Sequence, residues 1–271
     1  MKNDTNMHTN NFVEPSLLAE LKRKRDYIHY DLSHDGKISA HLLAAVHQDA
    51  SYHSKIMEPD HAKRSKRIGR RRDFRQTREE LREAQVHASN SFNGIISEPF
   101  LLSIAELIEP HTLGAYRRDM VRISDYAIDI PPRPEKIPEQ MGALVVAANN
   151  TQLDPVERAI LFHFHFLRIH PLIDGNGRTS RFVQNLMLAH HNYAPAVLPV
   201  GERSFYNSLI HGARAGFKER ESDGLRAHLN LLEFPRHTIA QKRHSIGILL
   251  LKLMWAWTNL LTILIVFPLT E

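Results

Sequence analysis

DPVERAILFHFHFLRIHPLIDGNGRTSR, residues 154–181, holds the segment on which the reading of the fold turns. Asp154 followed by Pro155 is a helix opening: a side-chain cap, then a proline at the first helical position, where its missing N–H costs nothing. The run that follows is apolar on nearly all sides, as a central buried helix is. His170-Pro171 ends it, and a second helix opens near Gly177 and runs through FVQNLMLA. Between them lies a loop carrying a histidine, a carboxylate, an asparagine between two glycines, and two arginines.

The placement of that loop suggests its chemistry. Gly-Asn-Gly falls where one helix ends and the next begins, where backbone N–H groups lack intrahelical partners and the dipole favours negative charge. Glycines at 175 and 177 let a phosphate approach without a Cβ in the way. Arg178 and Arg181, three apart on the new helix, share a face. Asp174 is a ligand of the type Mg²⁺ takes when phosphates supply the remaining oxygens. His170 can act as general base for an attacking hydroxyl. Taken singly, each residue reads more plainly: a histidine that bonds at a helix end, an Asp-Gly turn, solvated arginines. Their conjunction points to a polyphosphate site, although neither GxxxxGK followed by Ser or Thr nor GxGxxG is present.

The rest of the chain supplies a mainly helical frame. Leu42, Val46, Ala50 and Met57 form a stripe over Ser39 to Met57, closed by Pro59. Thr77-Arg-Glu-Glu80 is a capping box opening a helix toward Ala88. Further helices fit Phe205 to Phe217 and Leu225 to Phe234. Between Asp119 and Ile130, apolar and polar residues alternate about a Ser124-Asp125 turn, which predicts a short β-hairpin ended by Pro131, Pro132 and Pro134. DLSHDGKISAHL, 31–42, imitates a calcium loop but carries Leu42 where the bidentate carboxylate belongs, so it reads as an Asp-Gly turn.

With 271 residues, 42 % apolar and 24 % charged, the chain has the balance of a globular protein with a sizeable core. No cysteine is present, which removes disulfide-stapled folds and thiolate metal sites from consideration. The polar N-terminus is unlike a signal peptide, so a cytoplasmic setting is expected. The excess of 35 basic over 30 acidic residues is small but concentrated: eight Lys and Arg lie between Lys63 and Arg75. That run reads as a linker, because Phe74 is the one aromatic in it and base stacking calls for more. A nucleic-acid-binding module acting through Lys63 to Arg75 is the reading of a different class. Retention of His170, Asp174 and both arginines weighs against it.

HPLIDGNGRTSR resembles the signature of the Fic family, HxFx(D/E)GNGRxxR, at every defined position except Leu172, where the family has phenylalanine and where the side chain is expected to pack inward. His163 and Phe166 stand ahead of it at the spacing similar proteins show. GAYRRDMVRI (114–123) followed by YAIDIPPRPEKIPEQM (126–141) is similar to the family's flap region. The resemblance divides the chain into a 1–98 helical region, a 99–235 catalytic core and a 236–271 apolar tail, and implies a Fic-type helical bundle with a β-hairpin flap.

For function, the resemblance implies transfer of a nucleoside monophosphate, most often AMP from ATP, to a Ser, Thr or Tyr hydroxyl of a target protein. Carried over, His170 takes the hydroxyl proton and Asp174 binds Mg²⁺. Gly175, Asn176 and Gly177 cradle the phosphates, Arg178 and Arg181 hold the β and γ groups, and Tyr206 flanks the base. A transferase using another nucleotide or phosphoryl donor is the alternative, since no Ala-Asn-x-Gly follows Tyr206. The flap's free edge would dock an extended target segment. SKIMEP, 54–59, resembles the family's inhibitory segment, with Ser54 opening it and Glu58 pairing with Arg181, but Pro59 stands where Gly or Asn is usual and biases Glu58 away from helical dihedrals. IGILLLKLMWAWTNLLTILIVF, Ile246 to Phe267, has one charge in 22 residues and is long enough to cross a bilayer. A C-terminal membrane anchor, a terminal helix packed on the core and an altered terminus are all compatible with it. Oligomeric state has no signature in the sequence.

Overall fold

The computed structural model describes residues 15–34, 82–123, 131–197 and positions 204, 206, 207 and 210, apart from 85 and 89. Five helices follow in chain order: α1 (Pro15–His34), α2 (Glu98–Ile108), α3 (Ile137–Ala148), α4 (Pro155–Ile169) and α5 (Asn176–His190). Single 3₁₀ turns cover Pro110–Thr112 and Pro134–Lys136. The protein is mainly helical, as expected, and no strand occurs among the described residues.

α4 is the centre of the bundle. Asp154 caps it, its Oδ1 accepting from the Val156 N–H at 2.9 Å, and Pro155 opens the first turn. Thirteen of its fifteen residues are buried, which a helix achieves only when neighbours cover it all round. It packs chiefly on α5 and α3. Phe162, Phe164 and Phe166 are all fully enclosed. Each contributes on the order of 2 kcal/mol of apolar burial, so the helix is held by its own side chains rather than by propensity.

The neighbouring helices show ordinary one-sided patterns. In α2, capped by Ser97, the buried residues Leu101, Ile104, Ala105 and Ile108 recur at helical spacing. In α3 the stripe is Ile137, Met141, Leu144 and Ala148. α1 buries Leu18 and Leu21 and anchors Lys22 on Asp154 at 2.8 Å. Its last turn, Asp31 to His34, is helical where the calcium-like stretch begins.

The expected hairpin finds no strand over residues 119–123, which are irregular, while 124–130 lie outside the described residues. The Asp119 carbonyl is instead bonded by the Arg117 guanidinium at 2.8 Å. Of the helix expected from Thr77, residues 82–84 and 86–88 are helical and the capping box lies outside the described residues. So do the Ser39 to Met57 helix with Ser54 and Glu58, the Lys63 to Arg75 run, Leu225 to Phe234 and Ile246 to Phe267. Among the described residues no helix is long and apolar enough to cross a membrane.

Candidate active site

The loop between α4 and α5 is built by interlocking local constraints. His170 takes the left-handed conformation (φ 51°, ψ 57°) as the C-cap of α4, its N–H still bonding the Phe166 carbonyl at 2.9 Å. A non-glycine residue there is strained by about 1 kcal/mol, and histidine is among the types that tolerate it. The turn lifts the half-buried His170 off the end of the buried helix. Pro171 then blocks any helical continuation.

Asn176 closes the loop. Its Oδ1 accepts from the Leu172 N–H and its Nδ2 donates to the Leu172 carbonyl, both at 2.9 Å and both buried. One amide thus satisfies both backbone groups of Leu172, and Asn176 acts as the fastener of the cradle, with its side chain turned toward the loop. Leu172 itself is 1 % exposed, as expected of a residue packing inward.

Asp174 Oδ1 accepts from the Gly175 N–H at 2.6 Å, which fixes the carboxylate beside the start of α5. Gly175 has φ +74°, and a Cβ there would come within 2.9 Å of the Glu109 Cβ, so both conformation and space require glycine. At Gly177 the reason differs: a Cβ would stand 3.0 Å from Arg181 Nη1, because the Arg181 guanidinium folds back over the first turn.

The two arginines do not play matching parts. Arg181 is half-buried and lies over Gly177. Arg178 is buried, and its Nη2 pairs with Glu109 Oε2 at 2.8 Å, while Nη1 reaches the Ile108 carbonyl at 3.4 Å. Glu109 follows the last turn of α2 directly, so α2 and α5 are joined by a buried ion pair beside the loop. Sequence reasoning missed Glu109, and the only signal was an acidic residue next to the apolar stripe ending at Ile108.

Arg117 was missed too. Its Nε donates to the His170 carbonyl at 2.8 Å, Nη1 to Asp119 at 2.8 Å and Nη2 to Pro132 at 2.6 Å, and its own N–H bonds the Pro171 carbonyl at 2.8 Å. Burial pulls its pKa down, but a guanidinium keeps its charge in proteins. Nothing in the sequence separates it from neighbouring Arg118, which is exposed.

Beneath the loop, His163 is fully buried and its Nε2 lies 2.6 Å from the hydroxyl of Tyr206. Tyr206, expected beside the base, is 5 % exposed and sits in the core. His165 on the same helix is held well below the usual imidazole range by burial and then by the charge of Arg168, whose Nε donates to its Nδ1 at 3.3 Å. No cluster of three metal-ligating side chains occurs among the described residues. Asp174 therefore fits a divalent cation only where phosphate oxygens complete the shell.

The loop brings a histidine, a carboxylate and one half-buried arginine to the N-terminus of a helix, while the second arginine is buried against Glu109. Residues 95–188 match the Fic/DOC family. The chain is 33 % identical over 111 residues to protein adenylyltransferase fic-1 of Caenorhabditis briggsae, a match covering 40 % of this chain and 21 % of that protein. To protein adenylyltransferase Fic of Nematostella vectensis it is 34 % identical over 110 residues, covering 40 % and 25 %. The matched stretch thus spans about a fifth to a quarter of those relatives. Among solved structures, a Fic-domain-containing signalling protein from Bacteroides thetaiotaomicron aligns with a TM-score of 0.57 at 20 % identity, covering 89 % of this chain and 97 % of that one. Fic-1 from Caenorhabditis elegans aligns at 0.58 and 20 %, covering 90 % and 72 %. These structural likenesses speak to the fold alone.

Proposed function

We propose that this protein is a nucleotidyltransferase that moves AMP from ATP to a Ser, Thr or Tyr hydroxyl of a target protein. The observation that carries the reading is the fastened loop: His170 lifted by its left-handed turn, Asp174 fixed at the Gly175 N–H, and the first turn of α5 left without Cβ atoms at 175 and 177. The names of the C. briggsae and N. vectensis relatives support the donor.

In this reading the target hydroxyl gives its proton to His170 and its oxygen attacks the α-phosphorus in line. A new P–O bond forms, the bond to the β-phosphate oxygen breaks, and pyrophosphate leaves with the electron pair. The N–H groups opening α5 and the Arg181 guanidinium hold the departing charge, and preorganisation of these donors supplies most of the rate. Mg²⁺ held by Asp174 and the phosphates would neutralise charge on the donor. A target segment docks at the residues bounded by Asp119 and Pro132. Glu58 restrains the enzyme by competing with the phosphates for Arg181.

The test is incubation of the purified protein with α-labelled ATP, GTP, CTP or UTP and Mg²⁺, alone and with lysate. Labelled protein from ATP is the expected result. Label from another nucleotide alone replaces the donor, and none from any, in the parent and in Glu58→Gly, removes the transferase reading.

A further inference from the structure

About 18 Å along α4 from the loop, at 1.5 Å per residue, the opposite end of the α4–α5 pair holds a buried arginine beside two histidines. Arg158, in the first turn of α4, is only 8 % exposed. Its Nη2 lies 2.9 Å from His191 Nε2, and its buried Nε has no hydrogen-bond partner. Around it lies a small cavity lined by Arg158, His190, His191, Phe92, Pro155 and Met187, with about 10 Å³ of space, room for one water-sized particle.

The neighbouring charges do not balance Arg158. Asp154, the cap of α4, is engaged at Oδ2 by Lys22 at 2.8 Å and at Oδ1 by the Val156 N–H. Asp26 is engaged by Arg25 at 2.6 Å. Among the described residues no carboxylate forms an ion pair with Arg158, and Asp154 acts on it only at longer range. A buried charge without a counter-ion is costly enough that proteins seldom keep one. His191 accepts at Nε2 from the guanidinium and has no negative charge to offer it, and burial together with Arg158 lowers its pKa.

We infer that the cavity at Arg158, His190 and His191 binds a small anion of halide size, which takes a hydrogen bond from the Arg158 Nε–H. A small cavity with a single unpartnered N–H donor suits a monatomic anion better than a tetrahedral one that needs several donors. This site is independent of the nucleotide reading and remote from His170.

The full-length protein is titrated with sodium chloride at constant ionic strength, gluconate replacing chloride, while chloride-35 NMR linewidth and the thermal midpoint are followed. Saturable line broadening and a saturable rise in the midpoint are expected, both lost in Arg158→Gln. Should that variant fail to fold, Arg158→Lys is measured instead and is expected to weaken both responses, since an ammonium lacks the guanidinium Nε–H. A parent that shows no saturable chloride response overturns the inference, as does a folded variant that responds like the parent. A response to phosphate and none to chloride overturns the assignment of size.

Discussion

Replacing Glu109 by leucine removes one partner of an ion pair whose side chains are 4 % and 5 % exposed, and leaves the Arg178 guanidinium in the interior without its carboxylate. Loss of one partner from a buried pair costs about 3–5 kcal/mol, most of it the uncompensated charge that remains. Arg178→Met should cost about as much for the mirror reason. The double variant, with apolar side chains of similar size at both positions, should recover much of the loss, because two desolvation penalties vanish together. Urea unfolding of the four proteins, followed by circular dichroism, gives the coupling as the departure from additivity. A coupling of at least about 2 kcal/mol is expected. If the two single losses simply add, or each falls below about 1 kcal/mol, the pair is solvated and α2 is not fastened to the loop through it.

His170→Ala should lower protein labelling about 100-fold or more while shifting the thermal midpoint little, since it deletes the base and hardly touches the core; labelling by the variant at the parent's rate refutes the assignment. Gly175→Ala and Gly177→Ala should separate: the first meets both a positive φ and the Glu109 Cβ and should cost well over 1 kcal/mol in stability, while the second displaces only the flexible end of Arg181 and should weaken nucleotide binding more than folding, as calorimetry would read. For pH, the His165 pKa lies well below its usual value in the folded protein, so below about pH 6.5 the unfolded chain takes a proton that the folded one refuses. Its contribution is fully present above that pH and is lost as pH falls, by up to about 1.4 kcal/mol per unit, and His165→Gln should flatten the urea midpoint between pH 7 and 5.5. An unchanged slope would show that His165 is protonated in the fold.

What the sequence revealed of this fold followed from strength of pattern. Asp154-Pro155, the all-apolar run after it and His170-Pro171 state the limits of α4 in local chemistry, and the structure places the cap, the helix and the break there. α2 and α3 went unread although their apolar stripes are regular; α3 follows prolines that suggested the end of a hairpin, and α1 is dense in Lys and Arg. In the site, the loop residues were legible because they are contiguous. Glu109 and Arg117 were not, because their significance lies in partners 69 and 53 residues away, and no local pattern marks an acidic or basic side chain that will be buried. Asn176 was legible as a site residue but not as a fastener, since its bonds to Leu172 depend on how the loop closes.

The grip of Arg117 has a consequence for how such a protein can diversify. Its guanidinium bonds Asp119 and Pro132, the two ends of the stretch expected to receive a target, and with a third N–H bonds the carbonyl of His170. The stretch between those two carbonyls is therefore sewn at both hems to the same point that sets the histidine. Its length and side chains can be exchanged, as a tailor changes a panel, while the seam keeps the reacting loop where it is. On the proposed function, choice of target and chemistry at phosphorus could then vary as separate inheritances.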